Sequence, residues 1–201
     1  MTQAEPQAIE LSFFEWRAQV AKAARGSGRS WGLAEEAGWA AEWLVRRGLP
    51  AAGWVGAWLH NGGGGACPVA FGASLSDRCA GDTASRLPVL PAELPVPGLL
   101  LPFMWRCAAG REAIALHGPE GLAARVDAAD EVTFGPAWGG VARGWTLRSE
   151  TVNPPVHAGP EPRLVVTVAM MQTLADLAMR TTVPASETSR ADAGASTGDN
   201  D

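Results

Sequence analysis

Nine tryptophans and no tyrosine distinguish this chain, and six of the indoles fall in its first sixty residues: Trp16, Trp31, Trp39, Trp43, Trp54 and Trp58. An indole buries a large apolar surface, yet its N–H needs an acceptor once water is gone. Six such groups are more than a short helical segment easily hides. The expectation is a core of some indoles and an exposed ridge of others, with Trp39, Trp43, Trp54 and Trp58 forming a partner-binding face. Self-contained packing is the alternative.

Residues 1–10 read as a loose leader. A helix then starts at Ser12, where a capping box with Glu15 and a staple of Leu11 on Trp16 are available. It runs to about Arg25 and stops at Gly26-Ser27-Gly28, with Phe13, Trp16, Val20, Ala23 and Ala24 at helical spacing. Ser30 opens a second helix that extends to Arg47. Trp31, Ala34, Ala37, Ala41, Leu44 and Val45 form its buried face, and Trp39 and Trp43 a ridge beside it. Gly48 and Pro50 end it. A third helix over about 51–59 carries Trp54, Val55 and Trp58. Residues 1–60 are therefore a helical lobe.

Residues 61–98 are rich in Gly and Pro and poor in periodicity, which predicts a long surface loop with one small helix near 83–87. The period then changes. Leu99–Arg106 is a nearly continuous apolar run, read as a buried strand. Ala113–His117 and Leu122–Val126 flank Gly118-Pro119-Glu120-Gly121, a hairpin signal. Further strands are expected over 144–149 and 163–167, and a helix over 169–180. Residues 181–201 form a polar tail, either frayed or docked. The fold class is α+β: an N-terminal helical lobe, a small mostly antiparallel sheet with a covering C-terminal helix (99–180), and a flexible tail.

At 201 residues with 47 % apolar and 18 % charged residues, one packed domain, or one domain with two lobes, is expected and global disorder is not. The net charge is −5, and the cations are scattered arginines plus the single Lys22, so nucleic-acid binding is not expected. No apolar run is long enough to span a membrane. The polar, acidic start is unlike a secretory signal. Cys67, Cys79 and Cys107 form no CxxC pair and leave an odd thiol, which predicts free thiols and a cytoplasmic setting.

No catalytic motif is specific. His60 precedes a glycine run, but neither GxxxxGK[ST] nor GxGxxG is present, so a linker is the reading and the cofactor stays unassigned. His60, His117 and His157 lack metal-site spacing, and no metal is expected. Cys107 beside Arg106 reads as a buried thiol. A site for an anion would use Arg106, Arg111 or Arg148 as clamp and His117, at a strand end, as base.

Two stretches carry a resemblance. Ala23 to Gly38, running AARGSGRSWGLAEEAG, and Thr182 to Arg190, with Gly194 and Gly198 to Asp201, resemble an uncharacterised alphaproteobacterial family of unknown function. The resemblance implies that the tail belongs to the family pattern; it implies no activity. The paired helices also resemble the opening of non-Rossmann malate/L-lactate dehydrogenases. In that family a Ser-His-Gly motif with a catalytic histidine follows. The corresponding residues 49–54 contain no histidine, so the activity does not carry over.

The sequence thus supports first a non-catalytic cytoplasmic accessory or interaction protein of a bacterial catabolic system, with a protein partner or a homo-oligomer. The alternative is a small enzyme or ligand-binding domain acting on a carboxylate or amide metabolite.

Overall fold

The computed structural model describes residues 8–61, 65–80, 87–108, 113–151 and 164–181. The expected docking of the tail, the small helix near 83–87, Arg111 and His157 lie outside these residues.

Three helices open the chain much as the periodicity predicts: α1 (Phe13–Gly26), α2 (Trp31–Arg46) and α3 (Ala51–His60). Ser12 caps α1. Its hydroxyl accepts from the Glu15 N–H at 3.2 Å, and the Glu15 carboxylate accepts from the Ser12 N–H at 2.9 Å. That backbone hydrogen bond, with a second from the Ser12 hydroxyl, holds the Glu15 carboxyl below its ordinary pKa. Small residues let α1 and α2 approach closely, and Trp16, fully buried between them, donates its N–H to the Ala41 carbonyl at 3.2 Å.

The chain departs from expectation at residues 8–11, which form strand β1 (Ala8–Leu11) and not a loose leader. β1 pairs antiparallel with β8 (Leu164–Thr167), and each strand runs directly into a helix, β1 into α1 and β8 into α6 (Val168–Met179). Ser12 and Thr167 cap these helices in the same way. The helices then pack on each other, closely enough that a Cβ on Gly26 would sit 1.5 Å from the Leu177 carbonyl oxygen.

Two further corrections fall between residues 61 and 108. The expected loop contains α4 (Pro68–Ala80), and the expected strand 99–106 is helical, a 3-10 turn (Pro97–Leu100) leading into α5 (Leu101–Ala108). The physical reasons differ. In α4 the buried stripe is Val69, Gly72 and Leu75, and the glycine removes most of its apolar signal. Gly72 is needed there because a Cβ would lie 2.2 Å from the Phe103 ring of α5. In α5 the apolar run is buried on every side, a pattern that helix and strand share. Pro68 and Pro102 stand in first turns, where a missing N–H costs nothing.

The second half is antiparallel. A four-stranded sheet has the order β5-β4-β3-β7, from β3 (Ala113–Gly118), β4 (Gly121–Val126), β5 (Val132–Phe134) and β7 (Thr146–Glu150). The predicted hairpin is β3–β4. A smaller pair joins β2 (Glu93–Pro95) to β6 (Val141–Arg143). Ile114, Leu116, Ala124 and Val126 point from the main sheet toward α5, which is the helix against that sheet, while α6 lies on α1. One continuous core includes Trp16, Leu44, Leu75, Phe103, Leu116 and Leu174. The α+β class, with a helical region first and antiparallel sheets after it, follows the sequence reading, whereas the C-terminal helix expected to cover the sheet packs on α1.

The expectation of free thiols is corrected for one pair. Cys79 at the end of α4 and Cys107 in α5 form a disulfide with Cα atoms 5.3 Å apart, and Cys67 is free. Cysteine usage therefore no longer argues for a reducing compartment.

Two predictions follow from this packing. Gly26→Ala should lower stability by about 2 kcal/mol or more, because the new methyl meets backbone. Gly32→Ala, in a helix position with nothing within 4 Å, should raise it by roughly 0.5–1 kcal/mol. Chemical denaturation of both variants checks the contrast, and equal effects would contradict it. Ser12→Ala should cost about 1 kcal/mol at neutral pH. Because the folded pKa of Glu15 is depressed, its contribution is present above the ordinary value of 4.5 and fades as pH falls below it. The melting-temperature gap between wild type and Ser12→Ala should narrow in acid.

Candidate functional site

The face of the main sheet turned away from α5 carries the polar residues. Cross-strand register sets Ala115 opposite Arg125 on one side and Arg148 on the other, and sets His117 opposite Thr146 and Ala113 opposite Glu150. His117 and Glu150 lie at opposite ends of this row. Their side chains reach toward each other along the sheet and meet, with His117 Nε2 at 2.6 Å from Glu150 Oε1. The row has room for this because the β3 positions that precede His117 on this face are alanines; Ala113 and Ala115 are fully buried although they lie on the polar face.

The second Glu150 oxygen is 4.0 Å from an Arg125 guanidinium nitrogen, and Arg125 also donates to Thr133 Oγ1 at 3.5 Å. His117 and Glu150 side chains are 19 % and 29 % exposed, so the pair is half-buried and still open to a solute. A carboxylate only accepts, so Nε2 carries the proton in this bond and neutral His117 keeps its lone pair on Nδ1. The arrangement can hold an anion between guanidinium groups and can take a proton at Nδ1.

Of the sequence-predicted site residues, the structure brings His117 and Arg148 to one face. Arg148 is exposed, and no ion pair among the described residues uses it. Glu150 and Arg125 were missed, since their pairing depends on register, which sequence does not reveal. Arg106 is a correction. Because 99–106 is helical, its side chain faces α2 and not the sheet. It pairs with Glu36 at 2.8 Å and lies 3.4 Å from the centre of the Trp39 ring.

The tryptophan face is also corrected. Trp43 and Trp58 are only 4 % and 3 % exposed. Trp39 stacks on Trp105 at 6.5 Å, and Trp54 packs against Trp138 at 5.9 Å and against Gly98. Arginines cover the rings: Arg47 lies 3.8 Å from Trp43 and pairs with Asp130 at 2.6 Å. Burial pushes the Arg47 guanidinium below its ordinary pKa, and Asp130 counters this. The exposed aromatic side chains are Phe14, Trp31 and Phe134, at 74 %, 69 % and 40 %, so Trp31 is not on the buried face of α2 where its spacing placed it.

A second concave region lies between α3 and α6. A cleft of about 400 Å³ is lined by Leu59, His60, Thr173, Asp176, Leu177 and Arg180. His60 Nδ1 donates to the Gly56 carbonyl at 2.9 Å, within its own helix, so no carboxylate orients its ring. Among the described residues, no three His, Cys, Asp or Glu side chains cluster as metal ligands.

No curated protein and no solved structure matches the chain. Residues 11–61, which hold α1, α2 and α3, match the model of a family described as a protein of unknown function (DUF3726).

Proposed function

We propose that the protein binds a small carboxylate- or amide-bearing metabolite on the polar face of the main sheet, with His117 as its proton-transfer group. The observation that supports this is the 2.6 Å bond from His117 to Glu150, flanked by Arg125 and, across the register, by Arg148. Glu150 orients the imidazole by accepting from Nε2, the placement that lets a histidine act as a base at Nδ1. Arg148 supplies a guanidinium fork with two N–H groups for a carboxylate. His60 meets an acid and an arginine too, but its ring is tied only to a backbone carbonyl. Preorganisation therefore favours His117.

A second reading is an accessory protein with a protein partner, in a cytoplasmic bacterial setting. The exposure of Trp31 and Phe14, both inside the segment matched by the family model, favours it. Of the four tryptophans expected to carry it, Trp43 and Trp58 are buried, and Trp39 and Trp54 are half-buried. No described helix is long and apolar enough to cross a membrane.

Calorimetric titration with acetate, malonate and succinate tests the first reading. The tightest of these acids should lose about tenfold in affinity on Arg148→Gln and on His117→Gln. Unchanged binding in both variants, or no binding of any acid to the wild type, would contradict it. Retention of a protein partner by wild type and its loss on Trp31→Ala would favour the second.

A further inference from the structure

A narrow crevice opens where the end of α3, the α1–α2 connection and the start of α4 meet, between Arg29, Trp58, Asn61, Cys67 and Pro95. Its interior is about 10 Å³, room for one atom of water size, with the mouth open to solvent. Two of the polar groups around it can only donate. Trp58 is 3 % exposed, and its indole N–H has no acceptor. Arg29 lies 5.2 Å from the centre of the Trp58 ring, and its Nε is buried, also without an acceptor. No ion pair among the described residues uses the Arg29 charge. Asn61 adds an amide, which both donates and accepts, and among the described residues no Asp or Glu lines the crevice.

Indole and guanidinium groups can only donate. Two buried donors left without partners cost free energy unless an acceptor enters. The positive charge selects an anionic acceptor, and the size of the interior admits one of its atoms. We propose that the crevice is an oxyanion site. One oxygen of a carboxylate or phosphate group sits between the Trp58 N–H and Arg29, and the rest of the group faces the mouth. The site is separate from His117, and its test does not depend on that residue.

Cys67 lines the same crevice and is the free cysteine, so its alkylation reports occupancy. The experiment measures the rate of iodoacetamide labelling at Cys67 by mass spectrometry, on the full chain with the Cys79–Cys107 bond intact. Sodium phosphate and sodium acetate are compared with sodium chloride at equal ionic strength. Protection by phosphate alone assigns a phosphoryl group, protection by acetate alone a carboxylate, and protection by both an unselective oxyanion site. In each case Trp58→Phe, which keeps a ring and removes the N–H, and Arg29→Gln should weaken the protecting anion about tenfold. Arg148→Gln should leave protection intact. Labelling that neither anion slows beyond chloride overturns the proposal and leaves water as the occupant. So does protection that persists unchanged in folded Trp58→Phe and Arg29→Gln. The wild-type comparison alone decides should a variant fail to melt cooperatively.

Discussion

Helices and sheet are joined through a stack of three indoles between α2 and α5 with an arginine over each end. Arg106 lies over Trp39, Trp39 stacks on Trp105, Trp105 meets Trp43 at 6.1 Å, and Arg47 covers Trp43. Each end is tied by an ion pair, Arg106 to Glu36 within the helical region and Arg47 to Asp130 in the β4–β5 turn. A guanidinium over an indole keeps its charge near water while its planar group covers apolar surface. The stack thus covers three of the nine tryptophans, Trp39, Trp43 and Trp105, with arginine and with one another, while Trp31 stays exposed. The Trp43 and Trp58 N–H groups find no acceptor.

That anchoring has a consequence for the sheet. With α5 holding one face of β3 and β4, the opposite face carries a charged row over alanines. Large side chains at Ala113 or Ala115 would separate His117 from Glu150, so the small residues are as necessary to the pair as its own members. The disulfide between α4 and α5 and the close contact of Gly72 with Phe103 fix the helix beneath the sheet. A site on a sheet so supported holds its geometry without a bound ligand.

What the sequence revealed divides along physical lines. Caps and periodic stripes are local, and Ser12, Ser30 and the Gly118–Gly121 turn marked α1, α2 and the β3–β4 hairpin correctly. α4 was illegible because its core stripe includes a glycine that exists to admit Phe103, a contact from thirty-one positions away (103 minus 72). α5 was misread because burial on all sides erases periodicity. β1 was missed because its partner, β8, lies at the other end of the described chain. The same rule applies to the site. His117 and Arg148 could be picked out by type and position, whereas Glu150 and Arg125 join them through register alone.

The measurement that bears most directly on the sheet-face site is a nuclear magnetic resonance titration of the isotopically labelled protein with malonate. A carboxylate held beside His117 predicts saturable shifts of the His117 ring and of the amides of β3 and β7, with smaller changes elsewhere. Shifts absent from β3 and β7, with the His117 ring unmoved at saturating acid, would contradict the account and leave the His117–Glu150 pair as a structural clasp across the sheet.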